Sequence, residues 1–237
     1  MTRSTRFLTA ALLVGAALLA NVAFIALGSI FDYPAILERP ADQLFEAFRA
    51  NQLAVASWFV VLALAVGLMT PIALLVGRLS SARPMRMAVV VGLAAAIVQV
   101  VGLLRWPLLV PGIADRYGTG GAAAAQAASD FEVANRVLGT VVGETFGYLL
   151  TAAWTVLVLA AVGRSIAGRW FVGLGVMAAG MIAVGVLAPL GVPGVGLLNF
   201  LGYILWSGWL IAFGIILARG RVGTAVRSAV VHATALT

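Results

Sequence analysis

Seven polar side chains within or beside long apolar stretches are the residues of this sequence best placed to do chemistry. Two of them are charged, Arg105 and Glu144. A carboxyl group can transfer a proton and a guanidinium can hold an anionic group, so this pair suits ligand binding or acid–base chemistry. The predicted ligand-binding set adds five uncharged polar residues to the pair: Arg105, Glu144, Asn51, Gln99, Tyr148, Asn199 and Tyr203.

The spacing of three of these residues predicts that they share one height in a membrane. Arg105, Glu144 and Asn199 each lie 19 or 20 residues from an arginine that borders their apolar stretch. At about 1.5 Å per helical residue, each is then about 30 Å from that border. A charge facing lipid costs about 2.5 kcal/mol or more, so Arg105 and Glu144 should point inward. They either pair directly as a salt bridge that fixes two helices, or line an outward-facing pocket with the rest of the set.

Three functions from different classes are compatible with this polar layer. The first is an integral membrane protein that binds or transports a small or amphiphilic molecule. The second is an intramembrane lipid-modifying enzyme in which Glu144 is the acid or base and Arg105 holds an anionic group. The third is an accessory or scaffold subunit of a membrane complex. No residue is assigned as catalytic.

The composition requires lipid as the solvent for much of the chain. Of 237 residues, 63% are hydrophobic and 10% are charged, and the mean hydropathy is +1.11. Such a chain has more apolar surface than a soluble domain could bury. We therefore predict an all-α polytopic membrane helical bundle, with residues 1–237 forming a single transmembrane domain. Six apolar stretches are long enough to span: residues 7–30, 52–77, 87–112, 133–162, 171–190 and 196–218.

The arginines predict the orientation of these spans. Ten arginines and no acid lie in the connections on one side of the membrane, whereas all eight acids lie on the other side. Arginine-rich short loops face the cytoplasm, so both termini are predicted to be cytoplasmic. The apolar run after Arg6 is about twice the length of a signal-peptide core, which favours a retained first span.

Missing residue types exclude several chemistries. All fifteen basic residues are arginine, so no lysine can form a Schiff base. Cysteine is absent, and the one histidine is His232 in the C-terminal tail. Multi-histidine zinc sites, bis-histidine haem and cysteine-ligated clusters are therefore excluded within one subunit. We predict no cofactor and no metal, and we assign the basic residues to membrane topology and not to nucleic acid.

Two connections are predicted to be external loops, residues 31–51 and 114–128. Within the first, residues 41–50 have an apolar side and a charged side, which indicates an interfacial amphipathic helix. Beyond the second, Ser129 with Glu132 three residues later matches a capping box and predicts the start of span four.

A glycine stripe in span four predicts close helix packing. Gly139, Gly143 and Gly147 repeat every four residues. Small residues at this spacing let another helix approach the backbone. The predicted partners are membrane lipids, a small-molecule or lipid ligand, and a second copy or partner subunit that contacts this stripe.

Two short motifs surround the charged pair: Arg105, Trp106 and Pro107 with Val110 and Pro111, and Gly143, Glu144, Gly147, Tyr148 and Leu149. They resemble the motifs of a bacterial six-span membrane family of unknown function, DUF4386. The resemblance extends over nearly the whole chain and implies a multi-pass protein of the bacterial plasma (inner) membrane. It draws attention to Arg105 and Glu144 and implies no activity.

Overall fold

A computed structural model describes residues 1–220, and its regular elements over that range are all helical. His232, and with it Arg221 and Arg227, lies outside the described residues. Six helical stretches are long and apolar enough to cross a membrane, which confirms the predicted all-α, six-span fold. They are Arg3–Phe31, Gln52–Leu79, Arg83–Tyr117, Gly121–Ala167, Arg169–Leu190 and Val195–Ala218.

Most of these stretches consist of more than one helix. In chain order the α-helices are α1 (Arg3–Phe31), α2 (Ala41–Ala50), α3 (Gln52–Gly67), α4 (Met69–Val76), α5 (Arg83–Leu108), α6 (Val110–Tyr117), α7 (Gly121–Ala134), α8 (Gly147–Val158), α9 (Arg164–Ala167), α10 (Arg169–Val184) and α11 (Val195–Ala218). Short 3₁₀ turns follow at Ala35–Glu38, Gly77–Leu79 and Gly185–Leu190, and two π-helical segments occupy Asn135–Phe146 and Leu159–Gly163.

The chain divides into two compact units. Unit 1 comprises residues 1–17, 68–94 and 148–237, of which residues up to 220 are described; unit 2 comprises residues 18–67 and 95–147. This division does not test the prediction of a single transmembrane domain, which stays a prediction. Arg105 and Glu144 both belong to unit 2.

The helix that leads into span four begins earlier than predicted. α7 starts at Gly121, and a short connection, Gly118–Gly120, separates it from α6. Residues 114–128 are therefore mostly helical, and Ser129 lies inside a helix and does not cap one. The physical reason is the alanine run at 122–125, since alanine has the highest helix propensity of any residue.

The predicted amphipathic helix is present, but its apolar side packs inside the protein. α2 buries Leu44, Phe45 and Phe48. All three belong to the hydrophobic core of unit 2. The charged residues Asp42, Glu46 and Arg49 are exposed on its other side. The amphipathic pattern of α2 therefore reflects packing against other helices of this chain.

Trp106 lies at the centre of that core. Its ring stacks on Phe59 with centroids 4.8 Å apart, and it meets Phe31, Phe48 and Phe131 at 5.1, 5.9 and 5.8 Å. Aromatic pairs at such distances add about 0.5 to 1.5 kcal/mol each beyond the area they bury. The cluster therefore fixes the segment of α5 that carries Arg105.

Candidate functional site

The Arg105 guanidinium is buried and bound to neutral acceptors. The residue is 4% exposed. Its two terminal nitrogens donate hydrogen bonds to the Gly102 carbonyl oxygen at 2.6 Å and to Asn135 Oδ1 at 2.9 Å. Its Nε atom is buried without a hydrogen-bond partner. A guanidinium has five N–H donors, so part of its hydrogen-bonding capacity is open.

Glu144 lies close enough to Arg105 for their charges to interact. The ion pairs formed within residues 1–220 are nevertheless Arg39–Asp32, Arg116–Asp130 and Arg136–Glu132. The direct Arg105–Glu144 salt bridge, one of the two alternatives that the sequence left open, is thus not formed in the structure. The two charges share a neighbourhood without contact.

Tyr33 adds a phenol to this neighbourhood. It follows α1 outside the first span, and its ring packs at 5.1 Å from Phe59 and 6.2 Å from Trp106. Burial raises the pKa of the Tyr33 hydroxyl, whereas the nearby Arg105 charge and a side-chain hydrogen bond with Arg105 lower it; Glu144 acts in the raising direction. Tyr33 is therefore a neutral hydrogen-bonding group beside a buried cation.

Glycines bring span four against α5. A Cβ atom at Gly102 would lie 2.6 Å from the Gly143 Cα, and one at Gly139 would lie 2.8 Å from an Arg105 terminal nitrogen. A Cβ at Gly147 would lie 2.7 Å from Gln99 Cγ. The predicted glycine stripe therefore packs within the chain, against α5. Its contact with a second copy or a partner subunit stays a prediction.

Both segments that hold the site depart from regular α-helix. Span four is π-helical over Asn135–Phe146, which includes Glu144. Pro107 lies in the last turn of α5, and the helix is interrupted at Leu109 before α6 begins. A proline removes a backbone donor, and π-helical segments are frequent at functional sites. The regular helix is therefore interrupted four residues after Arg105.

The other two predicted residues of unit 2 are Gln99 and Asn51. Gln99 is on α5, where its amide donates to the Ala95 carbonyl oxygen at 3.1 Å. Asn51 is exposed at the end of α2, and its amide donates to the Ile30 carbonyl oxygen at 3.5 Å, the outer limit for such a bond. Asn51 therefore links the end of α2 to the end of α1.

The last three predicted residues belong to unit 1. The rings of Tyr148 and Tyr203 meet edge to face with centroids 5.8 Å apart. Asn199 is 8% exposed, and its amide donates to the Ile182 carbonyl oxygen at 2.8 Å. That carbonyl oxygen lies near the end of α10, where the helix tightens into a 3₁₀ turn, and it also accepts a hydrogen bond from the Gly185 backbone N–H. Asn199 thus has a structural task.

Two polar residues of the centre were not predicted from the sequence. Asn135 is absent from the predicted ligand-binding set, and Tyr33 falls in the predicted external loop of residues 31–51. Asn135 could have been found from the glycine spacing, because Gly139 lies one helical turn after it. No sequence signal indicates that Tyr33 packs against Arg105.

A separate shallow groove of about 430 Å³ opens beside α2 and contains none of the predicted residues. It is lined by Asp42, Phe45, Glu46, Arg49, Ala50 and Tyr117. Within residues 1–220, no group of three or more histidine, cysteine, aspartate or glutamate side chains could hold a metal ion.

Comparisons with known proteins give a family and no activity. No curated protein and no solved structure matches the chain. The family model described as a domain of unknown function (DUF4386) matches residues 8–214. This match includes all of the site residues and the greater part of all six spans. The chain is therefore a multi-pass membrane protein that belongs to the DUF4386 family.

Proposed function

We propose that this protein binds a small or amphiphilic molecule through an anionic group held by Arg105. The observation that carries the proposal is a buried guanidinium that has neutral acceptors and no contacting carboxylate. Tyr33, Asn135 and Glu144 complete the binding centre. Transport of the same molecule would begin with this binding step.

The energetic argument concerns an incompletely compensated charge. A charged side chain costs about 2.5 to 3.5 kcal/mol at the centre of a membrane helix and less near the helix ends, where Arg105 lies. Burial of charge is tolerated when the group is paired and fully hydrogen-bonded. Arg105 meets this condition in part, because its Nε has no acceptor. A phosphate or carboxylate group would supply both the negative charge and the missing acceptor.

Glu144 gives the site a way to release what it binds. Its carboxyl group lies near the cation without forming an ion pair with it, so a bound anion is attracted by Arg105 and is repelled by Glu144 when that carboxyl group is ionised. A nearby like charge lowers the affinity for an anion. The pair therefore favours exchangeable binding over permanent occupancy.

The test is to identify what the purified full chain retains. The protein would be extracted from its membrane in polymer-bounded lipid discs, and its bound small molecules and lipids would be identified by mass spectrometry. The Arg105→Gln variant is compared with Arg116→Gln, a matched control that removes an exposed arginine of the same unit. We expect an anionic molecule in near-stoichiometric amount in the wild type and the control, and at least tenfold less in Arg105→Gln.

Arg105→Lys controls for a folding defect in Arg105→Gln, because lysine keeps the positive charge and lacks the planar set of donors of the guanidinium. We expect it to fold with the wild-type elution profile and to retain an intermediate amount of the molecule. Wild-type protein that carries no anionic molecule would overturn the proposal. So would an Arg105→Gln protein that retains as much as the control.

We further propose that the protein lies in a bacterial plasma membrane with both termini in the cytoplasm, which places Arg105 towards the outer surface. The arginine distribution supports this orientation. The chain has no cysteine, so single-cysteine variants report accessibility without background. In intact cells, a membrane-impermeant maleimide should label Thr119→Cys and leave Ser81→Cys unlabelled until the membrane is opened. The reverse labelling would invert the topology.

A further inference from the structure

Charge is segregated between the two units. The described part of unit 1 contains eight arginines and no aspartate or glutamate, whereas unit 2 contains all eight acids and five arginines. The unit 1 arginines are Arg3, Arg6, Arg78, Arg83, Arg86, Arg164, Arg169 and Arg219. Unit 1 therefore has a large positive charge without internal compensation.

These arginines lie at the ends of membrane-length helices. Arg3 begins α1 and Arg83 begins α5, while Arg219 directly follows α11. Seven of the eight are exposed, and the exception, Arg6, is half-buried beside Gly220, just past the end of α11. The ion pairs within the described residues all belong to unit 2. The guanidinium groups of unit 1 are thus available to external anions.

Large apolar side chains are exposed next to these cations. Phe7 is 47% exposed, and the Arg3 guanidinium carbon lies 5.6 Å from its ring centroid. Met87, beside Arg86, is 49% exposed, and Trp170, beside Arg169, is 57% exposed. A partner that covers both kinds of surface must carry an anionic group attached to a long apolar group.

We infer that the arginine-rich helix ends of unit 1 bind the phosphate groups of anionic phospholipids, with the acyl chains along the exposed apolar side chains. Guanidinium groups match phosphate oxygens in planar, two-point hydrogen bonds, which ammonium groups do not. Clusters of basic residues beside membrane helices attract acidic lipids. The inference does not depend on the proposed function, because it rests on different residues in the other unit.

The experiment measures lipid preference in the full chain. Delipidated protein in a neutral detergent is titrated with phosphatidylglycerol or with phosphatidylcholine of the same acyl chains, and bound lipids are counted by native mass spectrometry. The variant replaces Arg78, Arg83 and Arg86 by glutamine. The matched control replaces three exposed unit 2 arginines, Arg49, Arg116 and Arg136, by glutamine.

We expect the wild type and the control to bind phosphatidylglycerol at least fivefold more tightly than phosphatidylcholine. In the unit 1 variant, the ratio of the two affinities should be at least threefold smaller than in the wild type. In the wild type, 0.5 M salt should also reduce this ratio, because salt screens charges at exposed sites. This salt response tests the inference even if the triple variant folds poorly.

Two added ligands distinguish other anions. Soluble glycerol phosphate should not displace the lipid at millimolar concentration, because it has no apolar part; full displacement would indicate a free-phosphate surface and overturn the inference. A 20-nucleotide RNA should bind no more tightly to the wild type than to the unit 1 variant. Tight RNA binding that the variant loses would overturn the inference, as would equal affinity for the two lipids.

Discussion

Replacing Gly102 by alanine should separate α5 from span four. The added methyl group would lie 2.6 Å from the Gly143 Cα and 2.8 Å from the Leu138 carbonyl oxygen. Both are backbone atoms of span four, so neither can rotate out of the way. The two helices must move apart, or their backbones must distort, to accept one methyl group.

The expected change in the free energy of unfolding is the sum of two opposing effects. Overpacking a well-packed contact costs about 1 to 3 kcal/mol, and we place this clash in the upper half of that range because the atoms it meets are backbone atoms. Alanine is a better helix former than glycine by about 1 kcal/mol. The expected net loss in the free energy of unfolding is thus about 1 to 2 kcal/mol. For a chain of this length, that corresponds to an unfolding midpoint about 2 to 8 °C lower.

Gly112→Ala is the matched control. It is the same replacement in α6, where an added Cβ would have no heavy atom within 4 Å. Thermal unfolding of both purified variants would be followed by tryptophan fluorescence in one detergent, with the Gly112→Ala midpoint expected at or above that of the wild type. Equal midpoints for the two variants would refute the close approach of α5 and span four.

Three further predictions test other contacts by the same unfolding measurement. Asn135→Leu removes an acceptor from the buried Arg105 guanidinium and should cost about 1.5 to 3 kcal/mol; an unchanged midpoint would show that this hydrogen bond is dispensable. Asn199→Leu removes the side-chain donor to the Ile182 carbonyl oxygen, which keeps the Gly185 backbone donor, and should cost about 0.5 to 1.5 kcal/mol; a neutral effect would count against the structural role assigned to Asn199. Tyr33→Phe tests a pH dependence. Because the folded pKa of Tyr33 is raised, the unfolded state ionises first, and the stability of the wild type relative to Tyr33→Phe should fall as pH rises through about 10. Parallel stability curves from pH 8 to pH 11 would contradict the burial of that hydroxyl.

The helices were predictable because lipid imposes a simple rule on length. A run of apolar residues that spans about 30 Å must be helical, since backbone groups in lipid have to bond within their own segment. The rule does not locate helix ends outside the membrane. Span four therefore begins at Gly121 and not near residue 133, because alanine propensity extends the helix beyond its apolar run.

The relation of Arg105 to Glu144 was harder to predict. Counting residues along a helix gives a height, but contact also requires the side chains to point towards each other. The count assumed 3.6 residues per turn, whereas Glu144 lies in a π-helical segment with a wider turn. Arg105 and Glu144 are therefore close enough for their charges to interact, but they do not form a salt bridge.

Tyr148, Asn199 and Tyr203 show the same limit in another form. Residue counting gave Asn199 the same height as Arg105, but it predicted no contacts for these three residues. In unit 1, Asn199 bonds to the end of α10 and the two tyrosine rings meet each other. Tyr33 shows the opposite case. It follows the first span, yet the chain brings it against Trp106 through packing that residue spacing does not encode.

An experimental density map of the full chain in lipid discs would test the binding role of Arg105 most directly. The account predicts non-protein density within hydrogen-bonding distance of the Arg105 guanidinium, with a headgroup-sized feature next to Nε. A guanidinium surrounded by protein atoms alone, with its nitrogens in direct contact with the Glu144 carboxylate, would contradict it and leave the pair as a structural link between two helices.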